Sequence, residues 1–133
     1  MKILTTIENI VEPYLPELEK LGLVLNAIEF HPQIPDYFNI ILFNQTSGIT
    51  IKTMTSKKLT ASTTSISNDQ SQRWEIRDYF LFINNEQRHA ELFFQKSLAE
   101  YFRNLVLILK KDLNSIISGE KWVNIPFDFG GAK

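Results

Sequence analysis

The sequence predicts a single α+β domain spanning residues 1–133: an N-terminal helix, an antiparallel sheet of three to five strands, and a long C-terminal helix packed on one sheet face. Apolar residues repeat at intervals of three and four near both ends of the chain, as on a helix face, while short extended runs bounded by turn residues fill the middle. A composition of 44% hydrophobic and 22% charged residues matches one packed core and is too apolar for a disordered chain.

In the first element, Ile7, Ile10, Val11, Tyr14, Leu15, Leu18 and Leu21 line one face between Thr5 and Leu21, and Gly22 is a natural stop. Pro13 and Pro16 lack the amide hydrogen a helix interior needs, so the segment is expected to kink or to restart as two short helices near Pro13. Leu23 to Phe30 reads as the first strand, and His31 to Asp36 as a proline-bounded loop. Tyr37 to Asn44 is apolar on both alternating faces, which predicts a central strand covered on both sides. Ile49 to Thr55 alternates again after Gln45-Thr46-Ser47-Gly48, which predicts a hairpin. The Ser/Thr-rich stretch Lys57 to Ser67 fits a weak edge strand, and 68–72 a polar loop.

Arg73 to Ile83 satisfies both periods: Trp74, Ile76, Phe80 and Phe82 alternate as in a strand, while Ile76, Tyr79, Phe80 and Ile83 repeat as in a helix. From Glu86 to Ser118 no proline or glycine interrupts a helical pattern that Asn84 or Asn85 can cap and Gly119 can end. Such a helix would run roughly 50 Å, against a diameter of about 40 Å for a compact domain of this size, so it must break or project. Its wide apolar face needs a second cover, either the N-terminal helix or another subunit, with Leu105 and Ile108 as the positions that test a homodimer. The C-terminal stretch carries Trp122, Ile125, Phe127 and Phe129, which are expected to dock on the domain itself or on a partner.

Little catalytic chemistry is written in the chain. The absence of cysteine removes disulfides, thiolate metal sites and a cysteine nucleophile. Fourteen basic against fifteen acidic side chains leave no surplus to neutralise nucleic-acid phosphates or an anionic membrane. The opening residues contain no apolar run of signal-peptide length, so a cytoplasmic location is expected. Glu86 and His89 have the i, i+3 spacing of di-iron bundles, but a second such pair is missing, and no metal or cofactor is expected. No glycine-rich phosphate loop or nucleophile elbow occurs. Asp36, Asp69, Asp78 and Glu29 read as turn, cap or surface carboxylates.

A helix ending in Leu21-Gly22-Leu23, a meander through Tyr37 to Thr55 and a long C-terminal helix resemble the layout of small bacterial immunity proteins that neutralise polymorphic or contact-dependent toxins. That resemblance implies a protein that binds and occludes a toxin, and it transfers no binding residues. The helix-then-strands opening is also similar to type III secretion chaperones, which are α+β dimers, although the polar stretch 57–67 and the single long helix depart from their pattern. The expected function is therefore a non-catalytic, protein-binding module, with His31, Asp36, Arg73, Trp74, Arg77, Trp122, Phe127 and Phe129 as candidate partner-binding residues. The rival expectation is a small-molecule site or enzyme with a pocket between sheet and helix lined by Tyr37, Trp74, Tyr101 and Trp122.

Overall fold

The computed structural model describes residues 2–34, 36–56, 62–82 and 97–123. Helix α1 (Lys2–Val11) gives way to one turn of 3-10 helix at Glu12–Tyr14, and α2 (Leu15–Lys20) follows. The break falls at Pro13, and Pro16 sits in the first turn of α2, where its missing amide hydrogen costs nothing. The stripe survives the break, since Ile7, Val11 and Leu18 are all buried. Gly22, at φ +82°, turns the chain directly into the sheet.

Five strands follow as an antiparallel meander in the order β1-β2-β3-β4-β5: β1 (Leu23–Phe30), β2 (Tyr37–Asn44), β3 (Thr50–Ser56), β4 (Thr63–Ser67) and β5 (Arg73–Glu75). One face is the core face. It carries Phe38, Ile40 and Leu42 from β2, Ile51, Thr53 and Thr55 from β3, Thr64 and Ile66 from β4, and Trp74 from β5. On β1 the register shifts between Leu25 and Ala27, a bulge that inverts the alternation and lets Leu23, Leu25 and Ile28 share that face despite their mixed spacing.

Three expectations are corrected here. The two faces of β2 are unequally covered: Phe38, Ile40, Leu42 and Asn44 are buried, whereas Tyr37, Asn39, Ile41 and Phe43 are only half-buried. The 57–67 stretch does not supply an edge strand, because β4 lies between β3 and β5; residues 57–61 are outside the described residues. The ambiguous 73–83 run is both structures in succession, with β5 passing at Ile76 into α3 (Ile76–Phe82).

The long helix is also interrupted. Ser97 is extended at φ −144°, ψ 157°, and its hydroxyl accepts the Glu100 amide at 3.2 Å, so α4 (Leu98–Lys111) starts there as a capped helix. The proposed cap at Asn84 or Asn85, together with Glu86 and His89, lies outside the described residues. After Asp112 the short α5 (Asn114–Ile117) ends at Gly119, at φ +87°. Helix α4 buries Leu98, Tyr101, Phe102, Leu105, Val106, Ile108 and Leu109 against the sheet and the N-terminal helices. Tyr14 meets Phe102 with ring centroids 5.7 Å apart, and Glu17 pairs with Lys110 across the surface. Leu105 and Ile108 are fully buried within a single chain, so they belong to its own core rather than to a dimer surface. Among the described residues no helix is long and apolar enough to cross a membrane.

Candidate functional site

Several polar groups among the described residues are engaged in holding the fold. At the end of β2, buried Asn44 donates through Nδ2 to the carbonyls of Leu21 and Ile117, both at 3.2 Å. Its Oδ1 accepts the Thr46 and Ser47 amides at 2.9 and 3.0 Å. Ser47 adds a hydroxyl bond to the Ile117 carbonyl at 2.7 Å. One amide thus satisfies the exposed carbonyl ends of α2 and α5 and the turn of the β2–β3 hairpin. On the core face a buried chain of hydroxyls runs from Thr53 to Thr64 at 2.9 Å and on to Tyr101 at 2.8 Å. Burial pushes the Tyr101 phenol above its ordinary range, the Thr64 bond opposes that, and the charge of Glu75 adds to it.

Where β5 meets α3, an aromatic cluster fills the space between sheet and helix. Trp74 stacks on Tyr79 at 5.3 Å and 17°, meets Trp122 at 5.5 Å, and donates its indole N–H to the Val123 carbonyl at 2.8 Å. Beside it Arg77 pairs with Glu75 at 3.3 Å and lies 3.8 Å from Asp78. Burial pushes the Asp78 carboxyl above the ordinary carboxylate range; Arg77 pulls it back and Glu75 pushes it further up.

The candidate partner-binding residues separate accordingly. Trp74 is 7% exposed and sits in the core, so it is no surface anchor in this conformation. Trp122 is half-buried against it, which is the self-docking arrangement, while Phe127 and Phe129 lie outside the described residues. Arg73 and Arg77 are exposed at the β5 edge. His31 and Asp36 are exposed in the β1–β2 loop, remote from β5 across the sheet. The four aromatic residues of the rival pocket do not converge, because Tyr37 points to the opposite face of the sheet from Trp74, Tyr101 and Trp122. The four carboxylates are also spread apart: Glu29 and Asp36 lie at the β1–β2 loop end, Asp69 in the β4–β5 loop at the other end of the strands, and Asp78 on α3. Among the described residues no group of acidic or histidine side chains is arranged to hold a metal ion.

The accessible surface also carries large apolar side chains, most of them on or beside β1 and β3. Five large apolar side chains are exposed among the described residues: Val24 at 52%, Phe30 at 38%, Ile34 at 46%, Met54 at 42% and, on α4, Leu107 at 48%. Four of the five therefore belong to β1, the loop after it, and β3. Val24 and Met54 share the sheet face opposite the helices with half-buried Ile41 and Phe43, and Glu29 and Lys52 supply charges of both signs between them. Toward β4 that face ends in buried Ser56 and Ser65. The loop that presents Ile34 is shaped by its histidine, since His31 Nδ1 accepts the Gln33 and Ile34 amides, each at 3.0 Å. Asp36 completes the turn at φ +69°, a backbone conformation uncommon for a residue other than glycine. Only the loop was legible as a site from sequence; the exposure of Val24 and Met54 depends on which face the helices cover.

No family model, curated protein or solved structure matches this chain.

Proposed function

We propose that this protein is a non-catalytic binding module that receives another protein on the side formed by β1, the His31–Asp36 loop and β3. Its most concrete form is a bacterial immunity protein that occludes a toxin. The observation that carries this reading is the exposure of Val24 and Met54 on the sheet face opposite the helices, with Ile34 exposed in the loop that follows β1. Apolar side chains at the centre of an interface supply binding free energy when desolvated, on the order of 1.5–3 kcal/mol for a fully buried Val, Ile, Met or Phe, and charges at the rim set orientation. Asp36 in the loop lies at the edge of that side, while Glu29 and Lys52 are charges within the face that a partner would have to match. The His31 turn holds Ile34 in position before a partner arrives, which lowers the ordering cost of binding. The non-catalytic part of the proposal is supported by the engagement of His31 Nδ1, Tyr101 and Trp74 in structural hydrogen bonds.

Affinity capture of the tagged chain from lysate of its own cells, with the molar mass of the eluate measured by light scattering, tests the reading. A stoichiometric complex with a second protein that is lost in the Val24→Asp/Ile34→Asp variant, while circular dichroism shows an intact fold, is the expected result. Recovery of monomer or homodimer alone, or a complex indifferent to both substitutions, overturns it.

A further inference from the structure

Past Gly119 the chain leaves regular structure. The Glu120 and Lys121 amides return to the Ser115 carbonyl at 3.1 and 3.4 Å, and Trp122 and Val123 then lie over the aromatic cluster in no helix or strand. Two indoles meet there with opposite fates. Trp74 has its N–H satisfied by the Val123 carbonyl at 2.8 Å. Trp122, packed on Trp74 at 5.5 Å, has its own Nε1 buried without any hydrogen-bond partner. Docking this segment therefore gains ring contact, the Trp74–Val123 bond and the bonds of the Glu120 and Lys121 amides to Ser115, but strips water from a donor that receives nothing in return. Undocking rehydrates that donor, returns the Ser115 carbonyl to solvent, and leaves the sheet and α4 with their own bonds.

We propose that residues 120–123 form a releasable strap, which opens while the rest of the fold stays intact and so gates the exposure of Trp74 and Tyr79. The device goes beyond the binding reading and stands or falls independently of it. It makes a prediction that simple core packing does not: removing the indole N–H should act in opposite directions at the two tryptophans. At Trp74 the loss weakens the strap, whereas at Trp122 it relieves an unsatisfied donor and tightens it.

The test uses the full chain under native conditions. Trypsin cleavage after exposed Lys121 is followed by mass spectrometry, while urea unfolding of the same samples is followed by circular dichroism. Each tryptophan is replaced in turn by benzothienylalanine, which keeps the bicyclic shape and deletes only the N–H donor. The expected result is cleavage after Lys121 that proceeds with little urea dependence below the unfolding transition. That cleavage should be about tenfold faster with the replacement at Trp74, and slower by a factor of several with the replacement at Trp122, because one hydrogen bond or one unsatisfied donor is at stake. Faster cleavage in both variants, no change in either, or cleavage that rises only with global unfolding overturns the proposal.

Discussion

Replacing Asn44 with alanine should be among the more damaging single changes outside the apolar core. The side chain makes four hydrogen bonds, two donated to the Leu21 and Ile117 carbonyls and two accepted from the Thr46 and Ser47 amides. An intramolecular hydrogen bond contributes about 0.5–1.5 kcal/mol net. The bond to Ile117 is fully buried and the other three partly so, which puts the expected loss at about 3 kcal/mol. Urea unfolding by circular dichroism should show a lower midpoint with an unchanged slope, and thermal unfolding a Tm lower by about 10 °C. The Asn44→Asp variant sharpens the test. It keeps the acceptor for Thr46 and Ser47 but turns an oxygen toward two carbonyl oxygens, so it should be at least as destabilised as the alanine variant. A loss below about 0.5 kcal/mol in both variants, within the range of an ordinary surface substitution, would refute the reasoning that this amide joins α2, the hairpin and α5.

Other consequences can be measured on the same instruments. A Cβ at Gly22 would lie 2.6 Å from Asn44 Nδ2 on a backbone at φ +82°, so Gly22→Ala should cost more than the ~1 kcal/mol of the left-handed conformation alone; an unfolding midpoint equal to that of the natural chain would contradict it. Asp78 holds its proton to higher pH in the folded than in the unfolded state, so the folded state binds more protons above the ordinary value of 3.8, and stability falls as pH rises through that window. Accordingly Asp78→Asn should stabilise the protein at neutral pH and lose that advantage in acid below the window, as read from urea midpoints across pH. Tyr101→Phe should cost about 0.5–1.5 kcal/mol by removing the bond to Thr64. Because the folded-state phenol is raised above its ordinary value of 10.0, stability falls as pH rises beyond that value. The phenylalanine variant should lack this alkaline loss.

The elements that punctuation defines were legible in the sequence. Pro13 broke the N-terminal helix, Gly22 ended its second half, and turn residues bounded β1, β2 and the following hairpin, because local backbone geometry alone decides those points. The signal for the start of α4 was also present: Ser97 and Glu100 have the spacing of a capping box, although an otherwise unbroken helical pattern runs through them. The bulge at Asn26 was not legible, since a single extra residue leaves no period of its own. Strand β5 was legible only as one of two readings of Arg73 to Ile83, because its three residues are too few to separate it from the helix that follows, and its presence makes β4 an interior strand. The Asn44 node joins positions far apart in sequence, and part of the packing around Trp74 comes from Trp122 and Val123, which return to it from the far end of the described chain. The exposed apolar side depends in the same way on helices covering one sheet face, which no local pattern states.

The central claim is that β1, the loop after it and β3 form the partner-binding side. Amide hydrogen exchange of the captured complex, compared with the free chain, tests this most directly. The account predicts slower exchange, by at least about tenfold in opening-limited amides, within residues 23–36 and 50–56, with α4 unchanged. Protection confined to 98–111, or none on β1 and its loop, would contradict it.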